Sequence, residues 1–147
     1  MFGKNKKAKI QLRTRTAVIP TKGSLKAAGY DLYADEDAIC PAQKCVKIST
    51  GVSITPPRGY YIAGFARSGL ATKQGLRPAN CTMIVDEDYT GEIIVPIYND
   101  SEEERKIKRG DRIAQIIFLP YLNVNFEVVE QLKKTKRGEG GFGHSGK

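Results

Sequence analysis

The sequence predicts an all-β fold, and three features lead to that expectation. Short runs in which apolar and polar residues alternate recur along the chain, punctuated by Gly, Pro and Asp. A two-residue period is the signature of a strand with one buried face. No segment keeps an apolar 3.6-residue period over three turns, which leaves no room for long amphipathic helices. The chain of 147 residues is 40% hydrophobic, enough for one core of ordinary size in one domain. Many short strands between turn residues imply a sandwich or barrel-like arrangement.

In chain order, Ile10, Leu12, Thr14 and Thr16 alternate with Gln11, Arg13 and Arg15. Val46 and Ile48 alternate with Lys47 and Ser49, and Val52 and Ile54 continue the pattern after Gly51. Pro56-Pro57-Arg58-Gly59 is turn chemistry, because proline fixes φ and glycine accepts positive φ. Residues 60–65, 92–98, 112–119 and 126–129 are further β-rich runs. Only residues 68–74 have room for a short helix. Ile93-Ile94-Val95, and Ile113-Ala114 with Ile116-Ile117-Phe118, are apolar on both faces. Two readings stand for them: a subunit interface, or a strand buried between two sheets of one subunit. The organisation expected is a β domain over residues 1–136, beginning with a basic terminus at 1–9, followed by a glycine-rich arm at 137–147. Five of the arm's eleven residues are glycine, so ordering it costs much backbone entropy.

Composition narrows the function. The net charge of +8 suits either a nucleic-acid surface or a small polyanionic substrate. The positive residues gather at 4–9, 105–109 and 133–137, without interleaved aromatics that would form a base-stacking platform. A nucleic-acid partner is therefore not indicated. No apolar run approaches the roughly 18 residues of a membrane helix. The basic start at residues 1–7 is followed by no apolar stretch, unlike a secretion signal. A cytoplasmic protein with no membrane partner is expected. The cysteines, Cys40, Cys45 and Cys81, are odd in number, and His144 is the only histidine. That is no zinc site, and the thiols are expected reduced.

Four segments could carry chemistry. Val85-Asp86-Glu87-Asp88-Tyr89-Thr90-Gly91-Glu92 sits between two apolar runs and reads as a hairpin tip. There a carboxylate beside an anionic substrate could activate water, or the segment is simply a solvated turn. Arg67-Ser68-Gly69 follows a strand and offers a forked cation, a hydroxyl and an open amide suited to phosphate, or forms a plain turn. Gln115 is polar inside an apolar run, so its amide needs a backbone or ligand partner. In the arm, Arg137, Phe142 and Ser145 interrupt the glycines with a cation, an aromatic face and a hydroxyl that could close over a nucleotide.

Five segments together resemble the motifs of the trimeric dUTPase family, in family order. They are Ala28-Gly29-Tyr30-Asp31-Leu32-Tyr33-Ala34, Arg67-Ser68-Gly69-Leu70, Val85-Asp86-Glu87-Asp88-Tyr89-Thr90-Gly91, Gly110-Asp111-Arg112-Ile113-Ala114-Gln115 and Arg137-Gly138-Glu139-Gly140-Gly141-Phe142-Gly143. The resemblance implies a jelly-roll-like β-barrel of the β-clip type, assembled as a homotrimer with active sites shared between subunits. It implies hydrolysis of dUTP to dUMP and pyrophosphate by water attack on the α-phosphorus, with Mg²⁺. By the same resemblance Asp86 activates the water and holds the sugar 3′-hydroxyl, while Tyr89 packs under the deoxyribose. Asn80 and the backbone of Ile84 and Val85 line the uracil edge. Arg67, Ser68, Gly69 and Gln115 hold the phosphate chain, and Asp31 sits near the metal through water. Arg137 meets the γ-phosphate, Phe142 stacks on uracil, and Gly143, His144 and Ser145 line the phosphates. Met83 stands where the family often has glycine, Ala66 where it often has proline, Thr90 where it often has arginine or glutamine, and His144 where it often has serine. Two alternatives accompany the resemblance: a dCTP deaminase on the same fold, and a regulatory trimer that binds another protein.

Overall fold

The computed structural model describes residues 6–141. Eleven strands and one helix alternate with turns: β1 (Lys9–Leu12), β2 (Tyr30–Tyr33), β3 (Ala38–Cys40), β4 (Cys45–Ser49), β5 (Val52–Thr55), β6 (Tyr60–Phe65), α1 (Ser68–Gln74), β7 (Leu76–Pro78), β8 (Met83–Val85), β9 (Ile94–Asn99), β10 (Arg105–Ile107) and β11 (Arg112–Pro120). All named strand pairs are antiparallel. The larger sheet has the order β2-β11-β6-β8 and the second β4-β9-β7, with two-stranded ribbons β1-β5 and β3-β10. Among the described residues the strands thus form four separate sheets, not a closed barrel.

One apolar core joins these sheets. The larger sheet contributes Leu32, Ile62, Ile113 and Ile116, the second Ile48, Leu76, Val95 and Ile97, and the ribbons Val52 and Ile107. Alternation explains most of this. In β9, Val95, Ile97 and Asn99 point inward while Ile94 faces out. Ile113 and Ala114 are both buried because the β11–β2 register shifts between Arg112 and Ala114, and a bulge of this kind re-aims the side chains beside it. The turn between β4 and β5 needs Gly51, whose φ is +66° and where an added Cβ would meet Asp35 Oδ2 at 2.7 Å.

Two expectations are corrected. Residues 126–129 carry no strand, and Phe126 is 94% exposed; the pattern is that of a strand, but no neighbouring edge in this chain pairs with it. The run after Val85 is a turn but not a hairpin tip. β8 pairs with β6, whereas β9 pairs with β4 and β7, so residues 86–93 cross from one sheet to the other.

Candidate functional site

The turn after β8 holds the first group of candidate residues. Tyr89 N–H donates to the Asp86 carbonyl at 3.2 Å, closing a turn around Glu87 and Asp88. The Tyr89 hydroxyl donates to the Glu92 carbonyl at 2.8 Å, which folds the ring back over Gly91. A Cβ at Gly91 would sit 2.6 Å from Tyr89 Cζ, so only glycine lets the ring lie there. Glu92 is itself anchored: its Oε1 accepts from the Ser49 hydroxyl and from Gly51 N–H, the latter at 2.8 Å.

The result is a cavity of about 250 Å³ lined in part by Asn80, Ile84, Val85, Asp86 and Tyr89. Five residues singled out in the sequence therefore meet around one space. β8 is the edge strand of the larger sheet, bonded only to β6. Its outer row of backbone donors and acceptors is available to a ligand's polar edge. Met83 is buried and packs on Gly64, where a Cβ would lie 3.0 Å from its own Cβ. Its bulk is thus absorbed largely by the sheet, although it also forms part of the cavity wall.

A second group assembles around Asp31, on the opposite edge strand. Asp31 Oδ1 accepts from Arg67 Nε at 2.9 Å and Oδ2 from Arg112 Nη1 at 3.4 Å, with the aspartate side chain 14% exposed. Gln115 lies across from Asp31 in β2 and from Phe65 in β6. Its Nε2 donates to the Ala66 carbonyl at 2.8 Å, so backbone meets part of its need. Gly29 lets this amide approach, since a Cβ there would be 2.7 Å from Gln115 Oε1. Ser68 and Gly69 open α1 next to Arg67 and are exposed. Arg67, Arg112, Lys106 and the Gly110 turn line a further cavity of about 300 Å³. The arrangement suits an anion: two guanidinium groups face solvent, held by one carboxylate.

The two cavities share no lining residue. Register explains the gap. Val85 lies opposite Ile62, so Asp86 falls near Tyr61, whereas Arg67 lies beyond Phe65 at the far end of β6. Six residues at about 3.3 Å each separate them by roughly 20 Å. Arg137 is exposed, and its Nε donates to the Gly140 carbonyl at 2.8 Å within its own turn, away from both groups. The expectations for Phe142, Gly143, His144 and Ser145 fall outside the described residues.

The sequence reading missed Arg112, Gly91 and Glu92 as contributors. Arg112 stands in a recognisable segment, but its convergence with Arg67 depends on strand pairing. Gly91 and Glu92 were legible only as turn residues. As for magnesium, no group of three or more His, Cys, Asp or Glu among the described residues forms a metal cage. Asp31 is a lone carboxylate already held by two arginines. It fits an ion that keeps its water and is bound mainly by phosphate oxygens, and does not fit a closed protein site.

A family model described as dUTPase matches residues 15–146. Among curated proteins, the chain is 45% identical over 143 residues to the deoxyuridine 5'-triphosphate nucleotidohydrolase of Saccharomyces cerevisiae, covering 97% of this chain and 96% of that one. It is 43% identical to the protein of the same name from Paramecium bursaria Chlorella virus 1, covering 89% and 92%. Among solved structures it is similar to the dUTPase of Staphylococcus bacteriophage 80alpha with dUpNHpp, at a TM-score of 0.90 and 26% identity, covering 97% of this chain and 99% of that chain.

Proposed function

The chain belongs to the dUTPase family, and on that premise we propose that it hydrolyses dUTP to dUMP and pyrophosphate. Water forms a bond to the α-phosphorus, the bridge to the β-phosphate breaks, and pyrophosphate leaves. The observation that carries the reading is the Asp86 and Tyr89 turn set beside the open edge of β8. The backbone of Ile84 and Val85, with Asn80, takes the uracil edge. A donor and acceptor row matched to one base rejects another by roughly 10⁴-fold, because mismatched buried groups stay unpaired. Tyr89 packs under the deoxyribose and leaves no space for a 2′-hydroxyl. Asp86 holds the 3′-hydroxyl, orients the attacking water and accepts its proton.

The phosphates are taken by Arg67, Ser68, Gly69, Gln115 and Arg112. Since this group lies roughly 20 Å from Asp86 along the sheet, one chain does not bring both to a single α-phosphorus. A homotrimer with sites shared between subunits resolves this, and its strands complete a jelly-roll-like barrel. The outward, unpaired apolar side chains Leu122, Phe126 and Val128 support association. Arg137 at the root of the arm, with residues 142–145, closes over the site and meets the γ-phosphate. Asp31 would hold a magnesium ion through water, and the ion would supply charge neutralisation to the phosphate chain. The setting proposed is cytoplasmic, with Cys40, Cys45 and Cys81 as free thiols.

The test is pyrophosphate release from dUTP, dTTP, dCTP and UTP, with and without magnesium. Release from dUTP alone, dependent on the metal, is expected. Equal release from dTTP would sink the base-edge reading, and ammonia from dCTP would turn the assignment to a deaminase.

A further inference from the structure

Glu87 lies at the apex of the Asp86 turn and takes no direct part in the proposed hydrolysis. Its Oε2 accepts the Tyr121 hydroxyl at 2.6 Å and Gly59 N–H at 2.8 Å. Tyr121 N–H in turn donates to the Gly59 carbonyl at 3.2 Å. Three segments therefore meet at one carboxylate oxygen: the turn before β6, the residue that follows β11, and the turn that bears Asp86. Glu87, Asp86, Tyr61 and Tyr121 line a wide cleft that shares Ile84 and Asp86 with the Tyr89 cavity but is not lined by Tyr89. We propose that Glu87 is a positioning residue, which through Tyr121 and Gly59 fixes the Asp86 turn to the body and to the root of the C-terminal segment.

The physical case is one of lost freedom. The turn around Glu87 and Asp88 is closed by one backbone bond of 3.2 Å. The Tyr89 and Glu92 contacts fix only the side after the apex, so a tie at the apex itself decides how far the Asp86 side of the turn can move. A second attachment at the apex, made by a charge-assisted bond and a backbone bond, limits that motion. The Tyr121 hydroxyl and Gly59 N–H hold the Glu87 carboxyl below the usual glutamate range, and Glu87 pushes the Tyr121 phenol up. Both directions keep the contact charged-to-neutral across the neutral range. Tyr121 is also the first residue after the last strand, so movement of the following segment and order in the catalytic turn share one anchor.

This inference rests on the hydrolase reading, and the experiment separates the two. In the full-length protein, Glu87→Ala is expected to lower kcat for dUTP by about 10-fold with KM changed less than about twofold. Tyr121→Phe is expected to lower kcat by about threefold, and the double variant no further than Glu87→Ala alone. Glu87→Gln, which keeps an acceptor, is expected to restore part of the loss. Hydrogen exchange at residues 86–91 is expected to quicken in Glu87→Ala and Tyr121→Phe, and this readout needs no activity. Unchanged exchange in both variants would overturn the clasp whatever the wild-type protein hydrolyses. Faster exchange together with wild-type kcat would overturn its positioning role.

Discussion

The Asp86 pocket and the Asp31 cluster differ in what makes them. The first is mostly backbone and shape: an edge strand, a tight turn, a tyrosine laid over a glycine. The second is charge: two arginines drawn to one carboxylate on the far edge of the same sheet. A pocket built from backbone and shape suits a neutral base and sugar, where hydrogen-bond matching and steric exclusion decide. A cluster of cations suits phosphates, which are held more strongly the more cations are in reach. The separation between them is what the proposed assembly has to bridge: on that reading each copy of the chain carries two halves of different sites.

The sharpest way to break this division is within the pocket itself. Asp86→Asn keeps size and hydrogen bonding but removes the proposed base. It is expected to lower kcat by about 10³-fold while nucleotide binding stays near normal, since a positioned base contributes roughly 10²–10⁴-fold. Steady-state kinetics alongside calorimetric dUTP binding measure both. Near-normal turnover would move the catalytic role elsewhere.

The charged half should respond differently to ligand. Arg67→Ala removes a cation proposed to hold phosphate and breaks the shorter of the two arginine contacts to Asp31. Loss of charge-assisted bonds at about 1.5–3 kcal/mol implies an affinity for dUTP lower by about 10- to 100-fold. Binding of deoxyuridine, which has no phosphate, is expected to stay within about twofold. If deoxyuridine weakened as much as dUTP, the two halves would not be separable by chemistry.

That contrast also explains how much was legible from the residues alone. β6 and α1 could be read directly, because the β-rich run over residues 60–65 and the lack of such a run over 68–74 are local signals. The five pocket residues were legible through motif resemblance, because a turn and the strand beside it are contiguous in the chain. The strand at 126–129 was misread for the same reason that strands are read at all: its pattern is right, but pairing is a property of a neighbour. The crossing of residues 86–93 between sheets, the reach of Arg112 to Asp31, and the grip of Tyr121 on Glu87 all join segments distant in sequence. No period or spacing within one segment encodes them.

Sugar selectivity offers a finer test of the shape-built half. Gly91→Ala places a methyl group against the Tyr89 ring and is expected to displace it. Discrimination of dUTP over UTP in kcat/KM should then fall on the order of 10-fold, while deoxyuridine-independent pyrophosphate binding is unaffected. Unaltered discrimination would remove Tyr89 from the steric account.

The smallest effect expected concerns the frame that ties the halves together. Asp35 follows β2, which carries Asp31; its N–H donates to the Ser49 carbonyl at 2.8 Å, and the Ser49 hydroxyl donates to Glu92 in the crossing segment. Asp35 is buried, which opposes ionisation, but the bond from Thr14, the nearby Thr16 hydroxyl and the Arg109 charge outweigh this and hold its carboxyl below the usual aspartate range. A carboxyl depressed on folding stabilises the fold above its unfolded value of about 3.9, and that contribution is lost as pH falls through the lower folded value. Thr14→Val removes the donor to Oδ2 and raises the folded value. The acid-unfolding midpoint is then expected to move upward by a few tenths of a pH unit, as read by urea denaturation between about pH 6 and pH 3. Both halves should loosen together in that transition, because the carboxylate supports strands leading to each. A midpoint that moved down, or pocket and cluster losing their ligands at clearly different pH, would show that Asp35 does not hold the two in common.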